Sequence, residues 1–172
     1  WDFAFALPFD NGVIGKQFVL FNTYQPSLDP ADASNFVANW IRLSNVSSGT
    51  ESGTLYYYAQ DGSVLATTRV SLAAGAADDF AGHQFGANLV GMIEWRPDSA
   101  LAKFRMINIR YLYDNATLVN SFDSAFQLSG SKGSGEQIIV PLDTRAGSAI
   151  LEVANTLSTA TTVGVEIFDQ TG

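Results

Sequence analysis

The sequence has no cysteine, a single histidine, and nine lysines and arginines against 17 aspartates and glutamates. Each scarcity excludes a class of chemistry. Without cysteine there are no disulfides, no thiolate metal ligands and no cysteine nucleophile. One imidazole cannot build a histidine-based zinc site. A formal charge of −8 leaves no basic face to neutralise phosphates, so nucleic acid is not an expected partner. An anionic membrane surface is disfavoured for the same reason. No apolar run approaches the roughly 18 residues that cross a bilayer as a helix, so no such span is expected. No glycine-rich phosphate loop, dinucleotide fingerprint or kinase motif is present.

What the chain does have is apolar mass. Hydrophobic residues make up 47% of its 172 residues, enough for one large β-sandwich, or one sandwich and part of another. That is not the composition of a disordered chain. The first residue is Trp1 rather than Met, which reads as a processed product or a fragment. Together with the cysteine-free, Ser-, Thr-, Asn- and Gly-rich composition, this leads to an expected extracellular or cell-surface location.

The clearest periodicity lies at the N-terminus. In residues 1–9, Trp1, Phe3, Phe5, Leu7 and Phe9 are large and apolar, and the positions between them are small, polar or proline. Period-two alternation of this kind predicts a strand with one buried face. Pro8 cannot donate to a ladder, which places this strand at an edge. Asp10-Asn11-Gly12 then supplies a turn. Further strands are expected over 17–22, 36–44, 54–59, 63–72, 89–95, 102–113, 117–128, 137–142, 149–155 and 161–168. Gln60-Asp61-Gly62 reads as a hairpin turn. Segment 73–86 is rich in Ala and Gly and is expected to hold at most a short helix. Short strands at this spacing predict an all-β, antiparallel sandwich of the Ig-like or jelly-roll-like kind. The expected organisation is an N-terminal strand that is the candidate donor (1–12), within its own molecule or to a neighbour, a main sandwich (13–135), and the C-terminal strands of an incomplete second repeat (136–172) packed into that sandwich.

An internal repeat runs through the chain without a gap. Ile41, Leu43, Asn45, Leu55, Tyr57, Gln60 and Gly62 recur as Leu151, Val153, Asn155, Val165, Ile167, Gln170 and Gly172, each 110 residues later. Both copies read as strand, polar loop, strand and glycine turn. In the first copy a strand follows the turn. The second copy reaches Gly172 without one, so an open, hydrogen-bonding edge is expected there, and such edges are templates for pairing.

The pattern of Asn, loop, amphipathic strand, Ala-Gln-Asp-Gly turn and Ser-Val-Leu-Ala-Thr-Thr strand, with Pro141-Leu142-Asp143-Thr144-Arg145-Ala146-Gly147 leading into the second copy, resembles the immunoglobulin-like or fibronectin-like repeats of bacterial extracellular surface proteins. The resemblance covers roughly 36–80 and 138–172. It implies an extracellular sandwich with a structural or adhesive role, and carries no catalytic residue with it.

Chemistry-bearing constellations are thin. His83, near Asp78 and Asp79, is the sole base available to a Ser-His-Asp arrangement, but no Gly-x-Ser-x-Gly elbow accompanies it, and a loop or capping histidine is the simpler reading. Paired carboxylates could hydrolyse glycosides, yet Asp78, Asp79, Glu94, Asp98, Asp114 and Asp123 form no motif. Asp10, Asp29, Asp32 and Asp61 lie in turns without a calcium-loop pattern. The expectation is therefore no enzyme, no cofactor and no metal. Tyr56, Tyr57, Tyr58, Trp40, Trp95, Tyr111 and Tyr113 could be core residues or a platform for sugar rings. Asn45-Val46-Ser47 and Asn115-Ala116-Thr117 are glycosylation sequons.

These readings converge on a structural subunit of an extracellular filament or surface assembly that polymerises by β-strand complementation. The expected donor face is Trp1, Phe3, Phe5, Leu7 and Phe9. The expected acceptor face is Leu151, Val153, Val163, Val165 and Ile167. The expected partners are other copies of the chain, joined head to tail. The alternative is a carbohydrate-binding or adhesive sandwich module of a larger surface protein, with a glycan or cell-surface ligand.

Overall fold

The computed structural model describes residues 12–23, 37–86, 88–113, 122–133 and 151–167. The chain divides into two compact units, Trp1–Ile139 and Val140–Gly172.

Among the described residues the first unit has nine strands: β1 (Val13–Ile14), β2 (Gln17–Asn22), β3 (Ala38–Asn45), β4 (Glu51–Ala59), β5 (Val64–Leu72), β6 (Ala77–Ala81), β7 (Val90–Pro97), β8 (Lys103–Tyr113) and β9 (Phe122–Ser129). Every strand pairing is antiparallel. One sheet runs in the order β1-β8-β3-β6, with β9 also pairing β8; the other runs β2-β7-β4-β5. The two are packed together as an antiparallel sandwich, the expected class.

Alternation in the strands explains the packing, because successive side chains point to opposite faces. In β3, Ile41 and Leu43 are buried while Trp40 and Arg42 are exposed; in β4, Leu55 and Tyr57 are buried between half-buried neighbours. With Phe21, Ile93, Trp95, Phe104 and Met106 they form one core between the sheets. Trp95 and Phe104 meet across it with ring centroids 4.7 Å apart. A second, polar layer crosses the same interior. Asn39, fully buried on β3, donates to the Asn22 carbonyl (2.9 Å) on the opposite sheet and accepts from Asn108 Nδ2 (2.9 Å) on β8.

Segment 73–86 holds the short helix allowed for it, a single 3-10 turn over Gly82–Phe85, but before that turn it forms a strand that was not expected, β6. Acidic residues such as Asp78 and Asp79 are depleted in strands, so local preference hides it. The strand exists because β3 offers a ladder, pairing Trp40 through Ser44 with Ala81 through Ala77. One expectation needs correction: the strands expected over 149–155 and 161–168 are not formed in 151–167, which carry no strand. The expected strand over 137–142 lies outside the described residues.

Candidate functional surfaces

The connection from β3 to β4 is an arch, since the two strands belong to opposite sheets. Its corner is held by Asn45, which is fully buried. The Asn45 Oδ1 accepts from the Ser47 amide at 2.9 Å, and Nδ2 donates to the Gly49 carbonyl at 2.8 Å. Nδ2 also reaches the Leu72 and Ala73 carbonyls at 2.8 and 3.2 Å, where β5 ends. A side-chain amide that mimics a backbone turn in this way closes a loop of a few residues locally.

The same corner recurs in the second unit. Asn155 Oδ1 accepts from the Leu157 amide at 3.0 Å, and Nδ2 donates to the Thr159 carbonyl at 2.8 Å. Each partner lies 110 residues after its counterpart, and residues 47–49 and 157–159 form the same bend. The sequence repeat is therefore also a repeat of local hydrogen bonding. The surroundings differ. Leu151, Val153, Val163, Val165 and Ile167 are 59, 55, 56, 55 and 79% exposed. These are the expected acceptor residues, and among the described residues they form an apolar row without a ladder. The expected donor residues Trp1, Phe3, Phe5, Leu7 and Phe9 lie outside the described residues, as do Asn115 and Asp10. The Asn45 sequon is occupied structurally: its carboxamide nitrogen, the atom a glycan would take, is engaged inside the arch.

The outward face of the β1-β8-β3-β6 sheet carries a shallow depression of about 330 Å³ lined by Trp40, Arg42, Asp79, Ile109 and Tyr111. Strand register sets it: Arg42 stands opposite Asp79 on β6, and Trp40 opposite Ile109 on β8. Arg42 grips Asp79 with two bonds, Nε to Oδ1 at 2.8 Å and Nη2 to Oδ2 at 2.6 Å. Trp40 meets His83 edge-on, with centroids 5.1 Å apart. His83 itself faces the β3 backbone, its Nδ1 lying 3.1 Å from the Asn39 amide nitrogen and 3.0 Å from the Asn39 carbonyl oxygen. The Asp79 carboxylate is thus committed to Arg42, and His83 to β3. Of the expected aromatic platform, Trp40 and Tyr111 come together here, whereas Trp95 and Tyr57 are core.

The outward face of the other sheet carries a second polar cluster. Glu94 is 4% exposed yet charged: Tyr58 Oη donates to it at 2.8 Å, Arg96 Nε and Nη2 at 3.1 and 2.8 Å, and Lys16 Nζ lies 3.5 Å away. Burial pushes the Glu94 carboxyl up, but the hydrogen bonds from Arg96 and Tyr58 and the nearby cations outweigh this and hold it below the ordinary value. Tyr58 is raised by its own burial and by donating to that carboxylate. Arg96 also lies over the Tyr56 ring, 4.2 Å from its centroid, and Tyr56 stacks with Tyr58. The spacing Glu94-Trp95-Arg96 signals this cluster, since residues two apart on a strand share a face. Nothing in the sequence signals the Arg42–Asp79 pair, because β6 itself is not legible there.

Among the described residues no group of three or more His, Cys, Asp or Glu could hold a metal, and no helix is long and apolar enough to cross a membrane. No family model matches the chain, and no curated protein matches it. Among solved structures, a protein titled Thermotoga maritima 1070 is similar over 71% of this chain and 96% of its own, with a TM-score of 0.48 and 12% identity. A likeness that slight carries no argument about this chain.

Proposed function

We propose that the protein is a non-catalytic structural subunit of an extracellular filament or surface assembly, joined by β-strand complementation. The observation that carries this reading is the second asparagine corner, residues 151–167, the second arch by its match to the first although it carries no strand. Its corner is ordered in the same way as the sealed one, but the apolar residues matched to the core of the first unit stand exposed. Rows of this kind are places where other chains add strands. Strand addition supplies main-chain hydrogen bonds and buries alternate side chains, and residues 1–9 have the alternation to serve as the donor. The extracellular setting rests on composition and on the resemblance to bacterial surface repeats.

Electron microscopy and sizing of the purified full chain test the proposal. Filaments or concentration-dependent oligomers are expected, and deleting residues 1–9 should leave folded monomers that bind a synthetic peptide of those residues. Monodisperse monomer for the intact chain at all concentrations would overturn it.

A second reading, a carbohydrate-binding or adhesive module, is favoured by the depression beside Trp40. Aromatic rings next to a planar charged pair suit sugar rings, which stack by their apolar faces and hydrogen-bond at their edges. A glycan that quenches tryptophan fluorescence in the intact protein but not in Trp40→Ala would support it; no response across a glycan panel would remove it.

A further inference from the structure

If a strand completes the second arch, the first arch shows where it would lie. The strand β5 runs antiparallel to β4 with Leu72 opposite Glu51, Val70 opposite Gly53, Thr68 opposite Leu55 and Ala66 opposite Tyr57. These four residues turn toward the core, while their neighbours Thr67, Arg69 and Ser71 are exposed. Moved along the repeat by 110 residues, the positions opposite them become Thr161, Val163, Val165 and Ile167.

Residues 1–9 match β5 in three independent ways. Phe3, Phe5, Leu7 and Phe9 repeat its inward alternation with larger apolar groups. The exits agree: Leu72 runs into Ala73-Ala74-Gly75 with Gly75 at φ 75°, and Phe9 runs into Asp10-Asn11-Gly12 with Gly12 at φ 77°. Pro8 falls at the place of Ser71, on a strand that is the edge of its sheet, where a missing N–H is tolerated. The corner also asks for such a strand. Asn45 Nδ2 bonds the carbonyls of Leu72 and Ala73 as well as Gly49, whereas among the described residues Asn155 Nδ2 bonds only Thr159.

We infer that residues 3–9 of a second copy dock antiparallel to 161–167 in the place of β5, with Phe9 opposite Thr161, Leu7 opposite Val163, Phe5 opposite Val165 and Phe3 opposite Ile167, and the Phe9 and Asp10 carbonyls on Asn155. This rests on the strand-complementation reading and adds the side, the direction and the register. A shift of one residue would turn all four apolar side chains away from the covered face, so the register is steeply defined.

The chain contains no cysteine, so an introduced pair reports alone. Full chains carrying Phe5→Cys with Val165→Cys, and separately Leu7→Cys with Val163→Cys, are oxidised and run without reductant, beside the off-register pair Phe5→Cys with Val163→Cys. Directly opposed Cβ atoms lie about 4.5–5.5 Å apart and diagonal ones about 7–8 Å, so the in-register pairs should give a ladder of linked chains, on the order of tenfold more than the control. Assemblies that form but link best through the off-register pair would overturn the register and leave complementation standing. Linkage within single chains would overturn the second copy as donor. A monomeric unsubstituted chain would take down both.

Discussion

The two arches share a corner and differ in almost everything around it. Ile41, Leu43, Leu55 and Tyr57 are at most 1% exposed, while their counterparts Leu151, Val153, Val165 and Ile167 are 55–79% exposed. The corner therefore does not need the packing. An asparagine bonding an amide two residues on and a carbonyl four residues on is a local event. Ladder pairing and burial are not local, because they need partner strands distant in sequence. The comparison separates what a short segment does alone from what its neighbours impose. One difference within it is chemical. Gly53 has no room for a side chain, since a Cβ there would lie 2.5 Å from the Trp95 ring; Val163 takes its place in the second copy.

Hydrogen exchange should show the largest contrast. Amides of β4 open only with the sandwich, so at monomeric concentration they should exchange on the order of 10³-fold or more slowly than those of 161–167. Equal protection would mean that the second arch is already covered. Protection appearing in 161–167 as concentration rises would sharpen the comparison into an interface.

Leu55→Ala leaves a cavity in the core and should lower the unfolding free energy by about 3–4 kcal/mol in denaturant titration. The matched change Val165→Ala, measured on the monomer, should stay within about 0.5 kcal/mol. A large effect at Val165 would show that its exposure is not that of the folded protein in solution.

Asn45→Ala removes a buried amide and leaves the Leu72 and Ala73 carbonyls short of a donor, a loss of about 2–3 kcal/mol. Asn155→Ala should cost less than about 0.5 kcal/mol in the monomer, since its corner is exposed. If the two costs agreed, the corners would be equivalent in energy as well as in geometry.

The smallest effect is a pH dependence confined to the first unit. Glu94 is held below its ordinary value, so its contribution to stability is complete above the unfolded carboxylate pKa and is lost as pH falls through the lower folded one. Thermal melts of the wild type should therefore fall on acidification below about pH 4.5, and Glu94→Gln should flatten that decline. An unchanged slope in the variant would remove the linkage.

Legibility from the sequence followed the same divide. The strand expected over 17–22 formed at those bounds, and the Gln60-Asp61-Gly62 turn formed with Gly62 at φ 85°. Both carry their cause within a few residues, as a short continuous apolar run and as a glycine. Asn45 and Asn155 were visible as a repeated pair; Asn45 does end a strand, β3, while Asn155 follows none, and the hydrogen bonds they share span only two and four residues. The strand β6 was not visible, because its residues prefer other states and only β3 holds it. The Trp40–Arg42–Asp79–Tyr111 face was hidden for the same reason, since Asp79 reaches Arg42 through β6.

The sequence by itself determined the β class, the turn sites and the recurring asparagine corner. These depend on alternation, on positive φ and on hydrogen bonds spanning two to four residues. Only the tertiary structure decided which strands pair, that the β3–β4 connection crosses between sheets, and that one row of apolar residues is core while its repeat is exposed. Those outcomes depend on contacts across dozens of residues, where the identity of the neighbour, not of the residue, sets the free energy.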